Sequence, residues 1–325
     1  MESISIYMSG TRTLDTITRQ LELAEDEILV KMTQASICDA DLRAWSGMHM
    51  PSDLPSFAHI GHEGGGEVVE IGKKVREFKV GDKVMAFGPL NTFSHYFKGP
   101  VQNFIKVPDG LDMEIACLGE PICVGMFGVF HSGVQLGDIA LVAGLNFQGM
   151  IAVQGLKKRG AHKVIAVDYS DAHLALAKKI GADFVLNTNT QDVREEIKEL
   201  TKGKGVDTTL HSCGYWNPRT EDYFNMCIDI TRDEGVLSSL PDMMSPINVG
   251  LHRLHHHAID IRFNALMHHS PEFLRIWVPL LMRPVVQGDI DIKALITDSY
   301  PLSQVNEAMK KFSEDEDQVK ILLKP

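Results

Sequence analysis

The sequence predicts an α/β protein in two parts: a strand-rich portion supplied by both chain ends and, between them, a doubly wound parallel sheet. Three observations carry this prediction. From about residue 121, short apolar runs alternate with helical stretches. Ahead of that point the chain shows strand-like runs broken by glycine turns. From residue 267 that first style returns. A length of 325 residues suits about two domains. With 44% hydrophobic and 23% charged residues, the chain is neither disordered, nor collagen-like, nor a disulfide miniprotein.

Taken in order, residues 27–36 (EILVKMTQAS) read as a strand entered from an acidic turn. The glycine-dense run Gly61 to Gly72 follows. VGDKVMAF at 80–87 places a turn before a short apolar strand, and NFIKVPDG at 103–110 is a strand closed by Pro-Asp-Gly. In the middle part, IALVAG (139–144), KVIAVD (163–168), DFVLN (183–187), VDTTLHSCG (206–214) and EGVLSSL (234–240) are strands. GMIAVQGLKKRG (149–160), DAHLALAKKIG (171–181) and QDVREEIKELTKG (191–203) are helices between them. Strand and helix alternating at this spacing indicate βαβ units. In the last part, Val305, Ala308, Met309 and Phe312 share one face of a helix, and QVKILLK closes the chain as a strand.

Several function classes are excluded. The N-terminus MESISIYMSG has no basic flank leading into an apolar core, so no signal peptide is expected. No run approaches the roughly 18 apolar residues of a membrane span. A net charge of −11 disfavours nucleic acid and anionic membranes as partners. Five cysteines, an odd number without a CxxC pair, point to a reducing cytoplasm.

Two constellations carry chemistry. In LVAGLNFQGMIAVQG, Gly144 and Gly149 hold the first and last positions of a G-x-G-x-x-G turn that leaves a strand and opens a helix, with Asn146, Phe147 and Gln148 between them. Such a Rossmann turn brings backbone N–H groups to a pyrophosphate at a helix N-terminus. Asn146 replaces the middle glycine; left-handed backbone angles, open to Asn, would preserve the loop. Asp168, ending the next strand, suits the ribose hydroxyls and repels a 2′-phosphate. The nine residues after it contain no Arg or Lys, so NAD is expected rather than NADP. The alternative is a plain βαβ turn with Asp168 as a helix cap. The second constellation is Cys38, His62, Glu63 and Glu120, a thiolate, imidazole and carboxylate set that zinc accepts. Taken alone, Cys38 serves equally well as a buried apolar cysteine.

The blocks ICDADLRAWSG, GHEGGGEVVEIGKKVREFKVGDKV and LGEPICVG, followed by the βαβ series, resemble the zinc-containing medium-chain dehydrogenases over essentially the whole chain. The GEP form of the third block is nearest the sorbitol-type polyol branch. The resemblance implies a GroES-like catalytic domain from residues 1–122 and 267–325 around a Rossmann domain at 123–266, with the active site in the cleft between them. It implies Cys38 and His62 as ligands of one catalytic zinc, Glu63 as a ligand or alternating partner, and Glu120 as a ligand or the holder of its water. Asp41 matches the carboxylate that orients the histidine. The implied reaction is hydride transfer between NAD(H) and a secondary alcohol of a polyol, sugar or cyclitol, in a homodimer or homotetramer. A reductase with unusual chemistry and a silent NAD-binding homologue are the alternatives.

The chain departs from the family in two further respects. The four-cysteine lobe for a structural zinc is absent. Ala40 and Arg43 stand where the family carries a hydroxyl and a histidine that pass the alcohol's proton to solvent. Arg43 is then expected to meet an anionic group of the substrate or the cofactor phosphates, the alternative being a solvent-facing side chain. The run HRLHHH at 252–257 is expected to be a polar helix surface or a subunit contact. His59 is expected near the metal or in the core. Trp45, Phe93 and Tyr96 are expected either in the core or along the substrate cleft.

Overall fold

A computed structural model describes residues 1–47, 60–214, 217–241, 243 and 246–325; His59 lies outside the described residues. The chain forms two compact units. One comprises Met1–Pro121, His269–Val286 and Ile296–Pro325; the other comprises Ile122–His268 and Gln287–Leu295. The segment 287–295, expected with the chain ends, belongs to the second unit for a specific reason. Gln154 accepts a hydrogen bond from the Asp291 N–H at 2.7 Å and donates to the Asp291 carbonyl at 3.3 Å, and Lys158 pairs with Asp289 at 2.8 Å.

The first unit opens with an antiparallel hairpin, β1 (Glu2–Gly10) and β2 (Thr13–Gln20). It continues through β3 (Glu27–Ser36), helix α1 (Asp39–Trp45), β4 (Glu63–Ile71), β5 (Lys83–Ala86), β6 (Tyr96–Pro100), β7 (Phe104–Lys106) and helix α2 (Met113–Ala116). Helix α3 (Gly119–His131) crosses the division into the second unit, which holds β8 (Ile139–Ala143), α4 (Phe147–Arg159), β9 (Lys163–Asp168), α5 (Asp171–Lys179), β10 (Phe184–Asn187), α6 (Val193–Leu200), β11 (Val206–His211), α7 (Thr220–Ile230), β12 (Thr231–Ser239), α8 (Leu251–His256) and β13 (Asp260–Phe263). The chain then passes through α9 (Pro271–Val286), β14 (Asp298–Pro301), α10 (Val305–Glu314) and β15 (Ile321–Lys324).

In the first unit the sheet order is β14-β15-β3-β4-β5-β7, with β6 also paired to β3. β3 is the central strand and is buried at seven of its ten positions. Its partner β15 comes from the chain end, so the C-terminal segment completes this sheet. The core includes Ile28, Val30, Met32, Phe93, Phe97 and, from α10, Val305, Ala308 and Met309. Trp45 and Phe93 are core residues, 5% and 0% exposed. In the second unit six strands run parallel in the order β10-β9-β8-β11-β12-β13. That order, two strand triplets wound outward from β8 and β11, places a ligand crevice at the C-terminal ends of the strands.

Three elements depart from the sequence reading. The β1–β2 hairpin shows little apolar alternation, because β2 buries Leu14 alone. Helix α9 contains Pro279 and Pro284 yet buries Leu274, Val278, Leu281, Met282 and Val285, a helical spacing. Helix α4 begins at Phe147 rather than Gly149. No helix among the described residues is long and apolar enough to cross a membrane.

His211, at the end of β11, is fully buried, with Nδ1 3.2 Å from Ser239 Oγ and its ring edge-on to Phe224. Burial depresses its pKa to about 3. The folded protein therefore keeps His211 neutral, whereas the unfolded chain takes up a proton below about pH 6.5. Stability from this group is complete above that value and declines as pH falls toward 3, by about 2 kcal/mol at pH 5. Denaturant unfolding at pH 7 and pH 5 should show a smaller pH-dependent loss for His211→Gln than for wild type. Equal losses would refute the assignment.

Candidate metal centre and dinucleotide loop

Cys38 sits at the N-cap of α1. Its Sγ accepts from the Ala40 N–H at 3.5 Å, while the Asp41 carboxylate reaches back to the Cys38 N–H at 2.9 Å, a capping box. The other Asp41 oxygen accepts from the Gly61 N–H, also at 2.9 Å, and stands 3.6 Å from His62 Nδ1. One carboxylate thus fixes the backbone at both Cys38 and the residue before His62. Gly61 has φ +85°, and a Cβ there would lie 2.6 Å from the Phe93 ring. Only glycine fits that approach, and the turn it makes delivers His62 to the head of β4.

The Cys38 sulfur, a His62 ring nitrogen and a Glu63 oxygen lie within 4.8 Å of one another. A sulfur, nitrogen and oxygen set at this spacing suits one tetrahedral zinc with an open fourth position. Among the described residues no other cluster of three such side chains is found. Glu63 is 0% exposed; its carboxylate is held by Ser36 Oγ and by Lys320 Nζ, 2.8 and 3.2 Å from its two oxygens, and Thr92 Oγ donates to its backbone carbonyl at 2.9 Å. Glu120, in the first turn of α3, is buried but stands outside the three-residue cluster.

The charges respond to this packing. Burial and the Glu63 carboxylate push the Cys38 thiol up to about 12. Burial opposes a charged His62, but the Cys38 sulfur and the Asp41 carboxylate outweigh it and hold the imidazole well above its ordinary value. Burial, reinforced by Glu63, raises Glu120 to about 7 against the pull of His62 and Lys320. A divalent cation is the species that would stabilise thiolate and carboxylates together here.

Ala40 and Arg43 both lie on α1. Arg43 is buried, 7% exposed, which corrects the solvent-facing alternative. The histidine run forms α8 and the turn after it. His252, His255 and His256 are exposed, with the His252 and His256 rings 4.2 Å apart, as a polar surface requires.

In the second unit, the turn after β8 starts at Gly144, φ +92°, where a Cβ would lie 2.7 Å from the Cys213 N. A Cβ on Gly149 would lie 2.1 Å from the Gly144 carbonyl oxygen. Asn146 is not left-handed. It is extended, with φ −64° and ψ −178°, and caps α4 by accepting from the Gly149 N–H at 3.0 Å; Ser212 Oγ donates to the same oxygen at 2.6 Å. Phe147, buried, and Gln148, half-buried, complete the first turn of α4. Asp168 is 4% exposed and accepts from the N–H groups of Leu145, Tyr169 and Ser170 at 2.7–2.9 Å. The cap of α5 is Ser170, not Asp168. Asp168 instead fastens the dinucleotide loop to the end of β9.

A cation missed by the sequence reading also reaches this edge. Arg219 lies over the ring of Tyr169, 4.9 Å from its centroid, and donates to Asn189 Oδ1 at 2.8 Å. It arrives from the loop after β11, far along the chain from Asp168, so no pattern in the residues following β9 signals it.

Comparison with known proteins gives two domain matches. Residues 24–109 match the alcohol dehydrogenase GroES-like domain, and residues 149–277 match the zinc-binding dehydrogenase domain. The sorbitol dehydrogenase of Bacillus subtilis is 29% identical over 326 residues, covering 89% of this chain and 87% of that protein. The D-arabitol-phosphate dehydrogenase of Enterococcus avium is 25% identical, covering 93% and 91%. The crystal structure of benzyl alcohol dehydrogenase from Acinetobacter calcoaceticus superposes with a TM-score of 0.88 at 21% identity, covering 100% of this chain and 99% of that one.

Asn146 consumes the Gly149 N–H that a glycine would leave to a phosphate. Asn146→Gly frees that donor at a cap cost of a few tenths of a kcal/mol. NADH fluorescence titration should show binding tighter by roughly 1 kcal/mol, about fivefold. Equal or weaker binding would show that the Asn146 side chain itself serves the cofactor.

Proposed function

The chain belongs to the zinc-containing medium-chain dehydrogenase family, and on that premise we propose that it transfers hydride between NAD(H) and a secondary alcohol of a polyol, sugar or cyclitol. The observation that carries this reading is the cluster of Cys38, His62 and Glu63 donors, backed by Asp41 and Glu120. These residues would hold one zinc, which when bound polarises an alcohol or carbonyl oxygen as a Lewis acid.

The chain's own residues do the rest. Asp41 orients His62 and fixes the α1 N-terminus, so the Cys38 sulfur and the His62 ring are held close together. Asp168 and the Gly144–Gly149 turn support NAD as the dinucleotide, with its pyrophosphate at the start of α4. Ala40 offers no hydroxyl to relay the alcohol's proton, which leaves Glu63, Glu120 or a substrate hydroxyl through water to take it. Arg43 is assigned to an anionic group of the substrate or cofactor, its burial favouring this over a solvent-facing position. The full-length kinship with sorbitol and arabitol-phosphate dehydrogenases supports a polyhydroxylated substrate.

Purified protein should carry about one zinc per chain. Across a panel of polyols, cyclitols and hydroxy acids, at least one polyol or cyclitol should reduce NAD, with activity lost on chelation. Cys38→Ser should lower that activity at least about 100-fold. Activity indifferent to chelator and to Cys38 would refute the zinc reading; zinc-free protein that still binds NADH would favour a reductase or a silent binding protein.

Cofactor choice has its own test. Asp168 repels a 2′-phosphate and Arg219 is the cation available to attract one. Arg219→Ala should weaken NADPH binding by about 1 kcal/mol or more while changing NADH binding less. Equal changes for both dinucleotides would remove Arg219 from the discrimination.

A further inference from the structure

Lys320 is a lysine with 2% of its surface exposed, at the entry to β15. Its ammonium donates to both oxygens of Glu63, at 2.8 and 3.2 Å, and to the Ile37 carbonyl at 3.1 Å. All three bonds of an ammonium are therefore committed to the residue before Cys38 and to the residue after His62. The Cys38 sulfur and the Asp39 carboxylate act on it as well. A buried ammonium is costly to desolvate and is retained where its partners require it. Nothing in the hydride-transfer chemistry described above uses it.

We propose that Lys320 is a positioning residue for the zinc centre: it fixes the Glu63 carboxylate and, as a counter-charge, keeps the bound metal electron-poor and exchangeable. The inference rests on the zinc reading of Cys38, His62 and Glu63. The Cys38 thiolate and the carboxylates of Glu63, Glu120, Asp41 and Asp39 outnumber the three positive charges that a divalent ion and the Lys320 ammonium would supply. Taking away the ammonium leaves an anionic pocket in which Glu63 has lost its partner. A buried carboxylate without a partner either protonates or moves onto a cation. Its undivided basicity then goes to the metal, which binds more tightly and polarises an oxygen less. A purely structural lysine would behave in the opposite way, because its loss would loosen Glu63 and the metal together.

The test is the rate at which full-length, zinc-loaded protein yields its metal to an excess of a chromogenic chelator. Lys320→Met removes the charge. Lys320→Gln also removes it but keeps an N–H donor for the Ile37 carbonyl, so folding is guarded by a second variant and checked by near-ultraviolet circular dichroism. Lys320→Arg restores the charge. Folded Gln and Met variants, relieved of the repulsion between the ammonium and the metal cation, should release zinc about tenfold more slowly than wild type or slower still, and a folded Arg variant, which keeps the charge, should release it faster than either. Release from a folded Gln variant at the wild-type rate or faster overturns the inference while leaving the zinc reading intact. Wild-type protein that carries no zinc removes both.

Discussion

Much of the site depends on the Asp41 carboxylate. Its two oxygens accept the N–H groups of Cys38 and Gly61, which lie on separate loops, and it faces the His62 ring. A single side chain thereby sets the separation of a thiol and an imidazole that sequence places far apart. Helix α1 exists largely to present this geometry. It is seven residues long, too short to persist without packing, and its capping box is built from the same Cys38 and Asp41. The cap and a candidate metal ligand are one residue, so the same capping box that starts α1 also places the Cys38 sulfur.

Charge balance is the second constraint. Glu63 is wholly buried, and such a carboxylate is tolerated only when paired. Its partner Lys320 lies 257 positions away in sequence and arrives because β15 pairs with β3. The discontinuity of the first unit therefore does more than complete a sheet: Lys320, entering β15, brings the ammonium that pairs with the buried Glu63. In the second unit Asp168 plays a comparable organising part, since three backbone N–H groups, one of them in the Gly144–Gly149 turn, converge on it.

How much of this could be read from the sequence varied with the range of the interactions. Five strands of the parallel sheet were legible because they are short runs bounded by turns, and the helices between them carry ordinary caps such as Ser170 and Asp192; the edge strand β13, DIRF, buries none of its four residues and was not. Helix α9 was not, since Pro279 and Pro284 break the pattern that its buried Leu274, Val278 and Leu281 otherwise follow. The candidate ligands Cys38, His62, Glu63 and Glu120 could be named from their residue types and neighbours. The structure gathers the first three and leaves Glu120 outside the cluster. For Asn146 the position is legible but the backbone is not: a residue in a glycine's position can be left-handed or can cap the next helix, and only the neighbouring Ser212 and Gly149 decide between these. Lys320 and Arg219 were invisible, because each meets its partners through strand pairing or a loop that no local pattern encodes.

The proposed centre requires a thiolate, an imidazole and a carboxylate oxygen to converge on a single zinc. X-ray absorption at the zinc edge of the purified protein tests it most directly. The expected first shell is one sulfur at about 2.3 Å with nitrogen and oxygen neighbours at about 2.0–2.2 Å. That sulfur should vanish from the shell in Cys38→Ser. A shell with no sulfur, a shell with several, or a spectrum unchanged in Cys38→Ser would contradict the assignment.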